Sequence, residues 1–108
     1  MAKDMRLALL LDFYGGLLTE KQVSALESYY DQDLSLSEIA AEMGISRQGV
    51  RAFLSQGEKH LREFEEKLGL AARFEEITEG LAEMKEIISG GEDTVRLAAI
   101  IDRISDII

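Results

Sequence analysis

The sequence contains no cysteine, no proline and no tryptophan. Without cysteine, disulfides and thiolate-bound metals are excluded, which fits a reducing compartment. Without proline, no position is barred from helix by a missing N–H, so the nine glycines must supply the breaks between elements. We therefore expect a chain in which most segments are free to be helical and glycine marks their ends.

Long hydrophobic runs are also missing. The apolar run of residues 7–11 ends at Asp12 and is too short for a signal sequence. No stretch approaches the roughly 18 apolar residues of a membrane span. With 46% hydrophobic residues in 108, the chain can nevertheless build a modest core. We expect a folded cytoplasmic protein without membrane insertion.

Residues that carry enzyme chemistry are scarce. His60 is the only histidine, and it follows Lys59 as surface histidines often do. Metal sites need several converging ligands, and the sequence has no phosphate-binding loop, dinucleotide fingerprint or nucleophile elbow. We predict no catalytic residue, no metal site and no cofactor, and hence a binding protein and not an enzyme.

Helix-starting and helix-ending signals recur along the chain. Thr19 with Gln22, and Ser35 with Glu38, each form the Ser/Thr-x-x-Glu/Gln pattern of a capping box. The first helix shows Met5, Leu9 and Phe13 at a spacing of four, with Leu10 and Tyr14 beside them. No segment favours a strand, so the predicted class is all-α. Six helices are predicted, at about 4–14, 20–30, 36–43, 47–68, 71–89 and 94–108.

A helix-turn-helix is predicted at about residues 35–56. This motif needs two short helices that cross steeply at a tight turn. Its apolar, small and glycine positions all occur at the required spacing: Ile39, Ala40, Met43, Gly44, Ile45, Val50 and Phe53. The alternative is a plain pair of helices, which would not need alanine and glycine at those offsets. The predicted architecture is thus a helix-turn-helix bundle with a C-terminal helical extension.

The charge distribution points to a candidate nucleic-acid site. The net charge is −9, which is unusual for a nucleic-acid binder, yet residues 45–62 carry a local net charge of +3. Arginine pairs well with guanine and glutamine with adenine, and a serine at a helix N-terminus suits a phosphate. The candidate nucleic-acid-binding residues are Ser46, Arg47, Gln48 and Arg51. The alternative is that these residues form a solvated helix face.

Two apolar seams follow the motif, each with alternating spacings of four and three residues. The first runs from Val50 to Leu68 and the second from Leu70 to Ile88. They predict either core packing within one chain or part of a dimer interface. The C-terminal helix adds a wide apolar stripe: Leu97, Ile100, Ile101, Ile104 and Ile108, with Val95 and Ile107 beside it. We predict a domain over 1–69, a helical hairpin over 70–108 used for packing or dimerisation, and a homodimer.

Several stretches together resemble the YlxM-like family of small bacterial proteins. The resemblance covers about residues 5–77 and rests on 12–14, 17–19, 21–22, 29–30, 33–36, 38–40, 45–48, Val50, Glu65 and 67–70. It implies a helix-turn-helix like that of sigma factor region 4. It also implies a role in the signal recognition particle pathway, because the family's genes lie beside those of the particle's GTPase or its receptor.

Two residues depart from the family pattern. Gly49 stands where members often carry a larger residue such as alanine, which weakens the recognition helix. Gly57 is expected to interrupt, and to kink, the helix that follows the motif.

Two functions therefore remain open at the level of sequence. The first is a nucleic-acid-binding regulator of duplex DNA or of a structured RNA, such as that of the signal recognition particle. The second is an adaptor that binds a protein of the targeting machinery, with a basic partner favoured by the net charge of −9.

Overall fold

A computed structural model describes residues 3–91 and 94–107, and these residues form six α-helices and no strand. The predicted all-α class is confirmed. Ile108, a member of the predicted C-terminal stripe, lies outside the described residues. The helices are α1 (Met5–Tyr14), α2 (Glu20–Leu26), α3 (Leu36–Met43), α4 (Arg47–Leu68), α5 (Leu70–Gly90) and α6 (Thr94–Ile107).

The chain divides into two compact units, residues 1–68 and residues 69–108. In the first unit the long helix α4 packs against α1, α2 and α3. The seam predicted along α4 supplies this contact, because Val50, Leu54, Gly57 and Leu61 are all buried. Its Val50–Leu61 stretch is therefore core packing within the chain, while Leu68 at its end is 46% exposed.

Helix α1 buries Leu10 and Tyr14 as predicted, but not Met5, the first residue of the four-residue spacing. Met5 is 65% exposed, whereas Leu7, Leu11 and Tyr14 are almost completely buried. The Tyr14 hydroxyl donates a hydrogen bond of 2.6 Å to Oε1 of Glu65 on α4. The run of leucines offers two apolar faces of similar strength, and contact with α4 selects the one that ends in Tyr14.

Helix α2 changes its winding near its end. Thr19 and Gln22 form the predicted capping box at its start. Beyond Leu26 the chain continues as a π-helical turn, Glu27–Asp31, in which the N–H of Gln32 donates to the Glu27 carbonyl at 3.0 Å. The predicted helix of about 20–30 is thus continuous in path but not in hydrogen-bond pattern. Such turns are often found at functional sites.

Gly57 does not interrupt α4, so the expected break is wrong. The helix continues from Arg47 to Leu68, and Gly57 is buried within it. A Cβ atom at Gly57 would lie 2.7 Å from Cδ1 of Leu26. Glycine is therefore present because α2 approaches α4 too closely for a side chain.

The second unit is a pair of packed helices, α5 and α6. Ile87 and Ile100 are buried, and a Cβ atom at Gly80 would lie 2.6 Å from Cδ1 of Ile104. Arg103 Nη2 lies 3.2 Å from Glu83 Oε1 across the same pair. The C-terminal stripe is thus partly covered by α5.

The seam predicted along α5 is displaced by one residue from the face that is packed. The buried positions are Ala71, Gly80 and Ile87, whereas Leu81 and Ile88 are 53% and 69% exposed. One step along a helix turns a side chain by about 100°, so the two faces differ. The seam predicted from the spacing therefore lies largely open to solvent.

The capping box at the start of α3 gives a test of local stability. Ser35 Oγ accepts from the N–H of Glu38 at 3.1 Å, and Glu38 Oε1 accepts from the N–H of Ser35 at 3.0 Å. The hydrogen bond that the Glu38 carboxylate accepts from the backbone of Ser35, followed by one from the Ser35 side chain, lowers the pKa of Glu38. We expect Ser35→Ala to reduce the free energy of unfolding by about 1 kcal/mol. Chemical denaturation measures this, and Ser37→Ala on the exposed face of α3 should change it by less than half as much.

Candidate nucleic-acid interface

The turn between α3 and α4 has the geometry that the motif requires. Gly44 ends α3 with φ +68° and ψ +33°, a left-handed conformation that glycine adopts without steric cost. The N–H of Ile45 donates to the Ala40 carbonyl at 3.1 Å and closes the turn. Only Gly44, Ile45 and Ser46 separate the two helices.

The predicted inward positions of the motif face the core. Ile39 and Val50 have no exposed surface, and Ala40 is 8% exposed. Met43, Ile45 and Phe53 are half-buried around them. The small side chain of Ala40 at this point lets the two helices approach closely, so α3 and α4 form a helix-turn-helix and not merely a pair of capped helices.

Ser46 begins α4 as its N-terminal cap. Its Oγ accepts a hydrogen bond of 3.0 Å from the N–H of Gly49, and its carbonyl accepts from Val50. A serine hydroxyl accepts and donates at once, so the Ser46 proton stays available for an anion. The N-terminus of α4, which is the positive end of the helix dipole, lies beside this hydroxyl group.

The four predicted residues come together on one exposed surface. Ser46, Arg47, Gln48 and Arg51 line a single open concavity of about 700 Å³, with Ala52 as its fifth lining residue. Arg47 and Arg51 are one helical turn apart, so both guanidinium groups lie on the same face. Within the described chain neither arginine forms a salt bridge. Two cations and an amide therefore surround a recess at the start of the second motif helix.

The rest of the basic segment is not part of this surface. Lys59 Nζ lies 3.9 Å from Glu63 Oε1, one turn further along α4. Arg62 lines another cavity, together with Asp4, Glu65 and Glu66. The local charge of +3 thus divides into a compact pair, Arg47 and Arg51, and two cations that lie among carboxylates.

Contacts from the preceding segment hold the motif in place. Tyr30, in the π-helical turn, donates a hydrogen bond of 2.9 Å to Oε1 of Glu58 on α4. Burial, followed by the hydrogen bond with Glu58, raises the pKa of Tyr30 well above the ordinary value of 10. Lys3 donates to the Tyr29 carbonyl and to Asp33 Oδ1, both at 2.5 Å, and so lowers the pKa of Asp33.

Other kinds of site find little support in the described residues. No group of three or more His, Asp or Glu side chains among them could hold a metal ion. His60 lies exposed on α4, with Nδ1 3.7 Å from Glu63 Oε2. None of the helices described is both long enough and apolar enough to cross a membrane.

Comparison with known proteins agrees with this geometry. Residues 1–102 match the family UPF0122, described as "Putative helix-turn-helix protein, YlxM / p13 like". The chain belongs to this family. YlxM of Bacillus subtilis is 40% identical over 102 residues, which cover 94% of this chain and 93% of YlxM. The UPF0122 protein of Halalkalibacterium halodurans is 42% identical over 100 residues, covering 93% and 92% of the two chains.

A third relative extends this agreement. A UPF0122 protein of Thermoanaerobacter sp. is 46% identical over 102 residues, covering 92% of this chain and 87% of its own. The family is described as a helix-turn-helix family. The resemblance that the sequence alone suggested, over residues 5–77, is confirmed and extends further toward the C-terminus.

Proposed function

We propose that this protein binds nucleic acid through the N-terminal end of α4 and does no catalysis. One observation carries the proposal: Arg47, Gln48 and Arg51 line one exposed recess at the start of the second motif helix. A recognition helix contacts base edges in the major groove with its N-terminal residues. Ser46 and the backbone N–H groups beside it would contact a phosphate.

The ligand is either duplex DNA or a structured RNA, and one titration separates them. Fluorescence anisotropy of a labelled duplex and of signal recognition particle RNA would be measured at low and at moderate salt. Binding through phosphate contacts predicts that affinity falls steeply as salt rises. The slope of log K against log[salt] should be roughly −0.9 for each phosphate contacted. Absence of binding to both ligands at low salt would contradict the proposal.

We also propose that the protein acts in the signal recognition particle pathway in the cytoplasm, as the family's gene neighbourhood implies. The net charge of −9 supports a second function as an adaptor for a basic protein partner. Co-purification of the chain with the particle's GTPase or its receptor would support this role. If neither the particle's GTPase nor its receptor binds, nucleic acid remains the proposed ligand.

A homodimer is proposed from the open seam of α5. Leu81 and Ile88 lie seven residues apart on one face and are 53% and 69% exposed. A seven-residue repeat of apolar side chains is the pattern by which helices pack side by side, and two copies present identical stripes. A dimer would also pair two recognition helices, as DNA half-sites require.

The oligomeric state has a direct test. Light scattering should give a mass of twice the 12.0 kDa chain at micromolar concentration. Leu81→Glu combined with Ile88→Glu should return the mass to that of one chain, because two buried charges are strongly unfavourable at an apolar interface. Circular dichroism should show that the variant keeps its helix content. A wild-type mass of one chain at every concentration would contradict the dimer.

A further inference from the structure

A second surface, on the first unit, lies apart from the recess at α4. The segment Gly15–Leu17, a short 3₁₀ turn, joins α1 to α2 and opens a groove of about 670 Å³. Its apolar lining comes from Leu11, Leu18 and Val23. Leu11 is almost completely buried, and Leu18 and Val23 are half-buried. The groove thus has an aliphatic floor.

Four carboxylates surround this floor. Asp12 comes from α1, Glu20 from the first turn of α2, and Glu27 and Asp31 from the two ends of the π-helical turn. All four are exposed. Lys21, the one cation of α2, does not line the groove, and neither does any other cationic side chain of the described residues. Negative charge at the rim and aliphatic surface at the base therefore occur together.

We propose that this groove binds a basic amphipathic helix of a partner protein. Aliphatic side chains of such a helix would cover Leu18 and Val23, and its Lys or Arg side chains would reach the carboxylates at the rim. A helix is favoured over an extended strand because the groove has helical walls and no strand edge in the described chain to which a strand could add. Four like charges on one rim also repel one another, and a basic ligand relieves this repulsion.

The groove differs from the proposed nucleic-acid surface in its charge and in its residues. Arg47 and Arg51 suit a polyanion, whereas the rim of Asp12, Glu20, Glu27 and Asp31 repels one. A single chain could therefore hold a nucleic acid and a basic protein segment at different places. The basic helix rests on the proposed function as an adaptor and not on nucleic-acid binding, so either binding proposal can fail alone.

The test uses the full chain and a labelled synthetic helix made of leucine and lysine at helical spacing. Glu20→Gln combined with Glu27→Gln removes two charges and keeps the side-chain shape. We expect it to weaken binding of the peptide about tenfold at low salt, since each exposed ion pair contributes modestly. The matched control, Glu79→Gln with Glu86→Gln on exposed positions of α5, makes the same change of net charge and should leave binding within twofold of wild type.

Two further measurements locate the peptide. Val23→Thr keeps the shape of the floor but replaces one methyl group by a hydroxyl group. It should weaken binding of the peptide at high salt, where the charges at the rim are screened. Amide resonances of Gly15 and Gly16, which line the groove, should shift on titration of the peptide. Equal weakening by the two charge variants, or unchanged glycine resonances, would overturn the proposal.

A second copy of the chain is the other candidate occupant, through its own Arg47 and Arg51. Light scattering of Glu20→Gln with Glu27→Gln separates this outcome from the proposal. If the groove holds a second copy, the variant loses mass, and the proposal of a basic partner helix is wrong. Affinity of this variant for duplex DNA should stay at least as high as that of wild type, which keeps the two binding proposals distinguishable.

Discussion

Replacing Arg47 and Arg51 together by alanine is expected to lower the affinity for duplex DNA about a hundredfold. The two guanidinium groups lie on one face of α4, one turn apart, and line the same recess. Contacts of arginine with base edges are each worth about 1–3 kcal/mol, so a loss near 1.4 kcal/mol at each position gives this factor. No other lysine or arginine of the described residues lines the recess to compensate for their loss.

The control variant also removes two positive charges, but at positions outside the recess. Lys59→Ala with Lys67→Ala removes two exposed cations of α4 that lie at least two helical turns beyond Arg51. If general charge dominates, both double variants should lose affinity equally. If the recess is the site, the control should stay within about threefold of wild type, since distant charges are screened over about 10 Å. If the Arg47→Ala/Arg51→Ala variant bound duplex DNA as tightly as wild type, the recess would not be the binding site.

Gly57→Ala is expected to destabilise the first unit although alanine is the better helix former. The added Cβ would lie 2.7 Å from Cδ1 and 3.4 Å from Cγ of Leu26. Leu26 has no exposed surface, so its side chain has no open space into which to move. Overpacking costs about 1–3 kcal/mol, and the gain in helix propensity is about 1 kcal/mol. We expect a net loss near 1 kcal/mol and a fall in Tm on the order of 4 °C.

Gly49→Ala, on the same helix, provides the opposite case. A Cβ atom there would lie 3.4 Å from its nearest neighbours, Ile45 Cδ1 and Ser46 Oγ, which is close to an ordinary contact. We expect Tm to rise by a few degrees, because the propensity gain of up to about 1 kcal/mol is opposed by little. Thermal unfolding followed by circular dichroism measures both variants. A rise in Tm for Gly57→Ala would contradict the close approach of α2 to α4.

The two candidate surfaces were not equally visible in the sequence. The recess at α4 is contiguous, since all its lining residues fall within residues 46–52, and the helical repeat places them together. The acidic groove is assembled from α1, the 3₁₀ turn, α2 and the π-helical turn. Its carboxylates are scattered among many others, and only the fold shows which of them surround an apolar floor.

The sequence by itself determined where α2 and α3 begin and where α3 ends. Capping at Thr19 and Ser35, and the left-handed turn at Gly44, depend on hydrogen bonds between residues three or four positions apart. Such interactions depend only on short stretches of sequence, so the helix-turn-helix could be predicted from them.

On α1 and α5, only the tertiary structure decided which face is buried. It selected Leu7, Leu11 and Tyr14 on α1, packed α5 through Gly80 and Ile87, and placed Gly57 against Leu26. A spacing pattern defines a stripe, but two stripes of similar hydrophobicity differ in free energy only when a partner helix covers one of them. Burial depends on residues far apart in the chain, so only the assembled fold determines it.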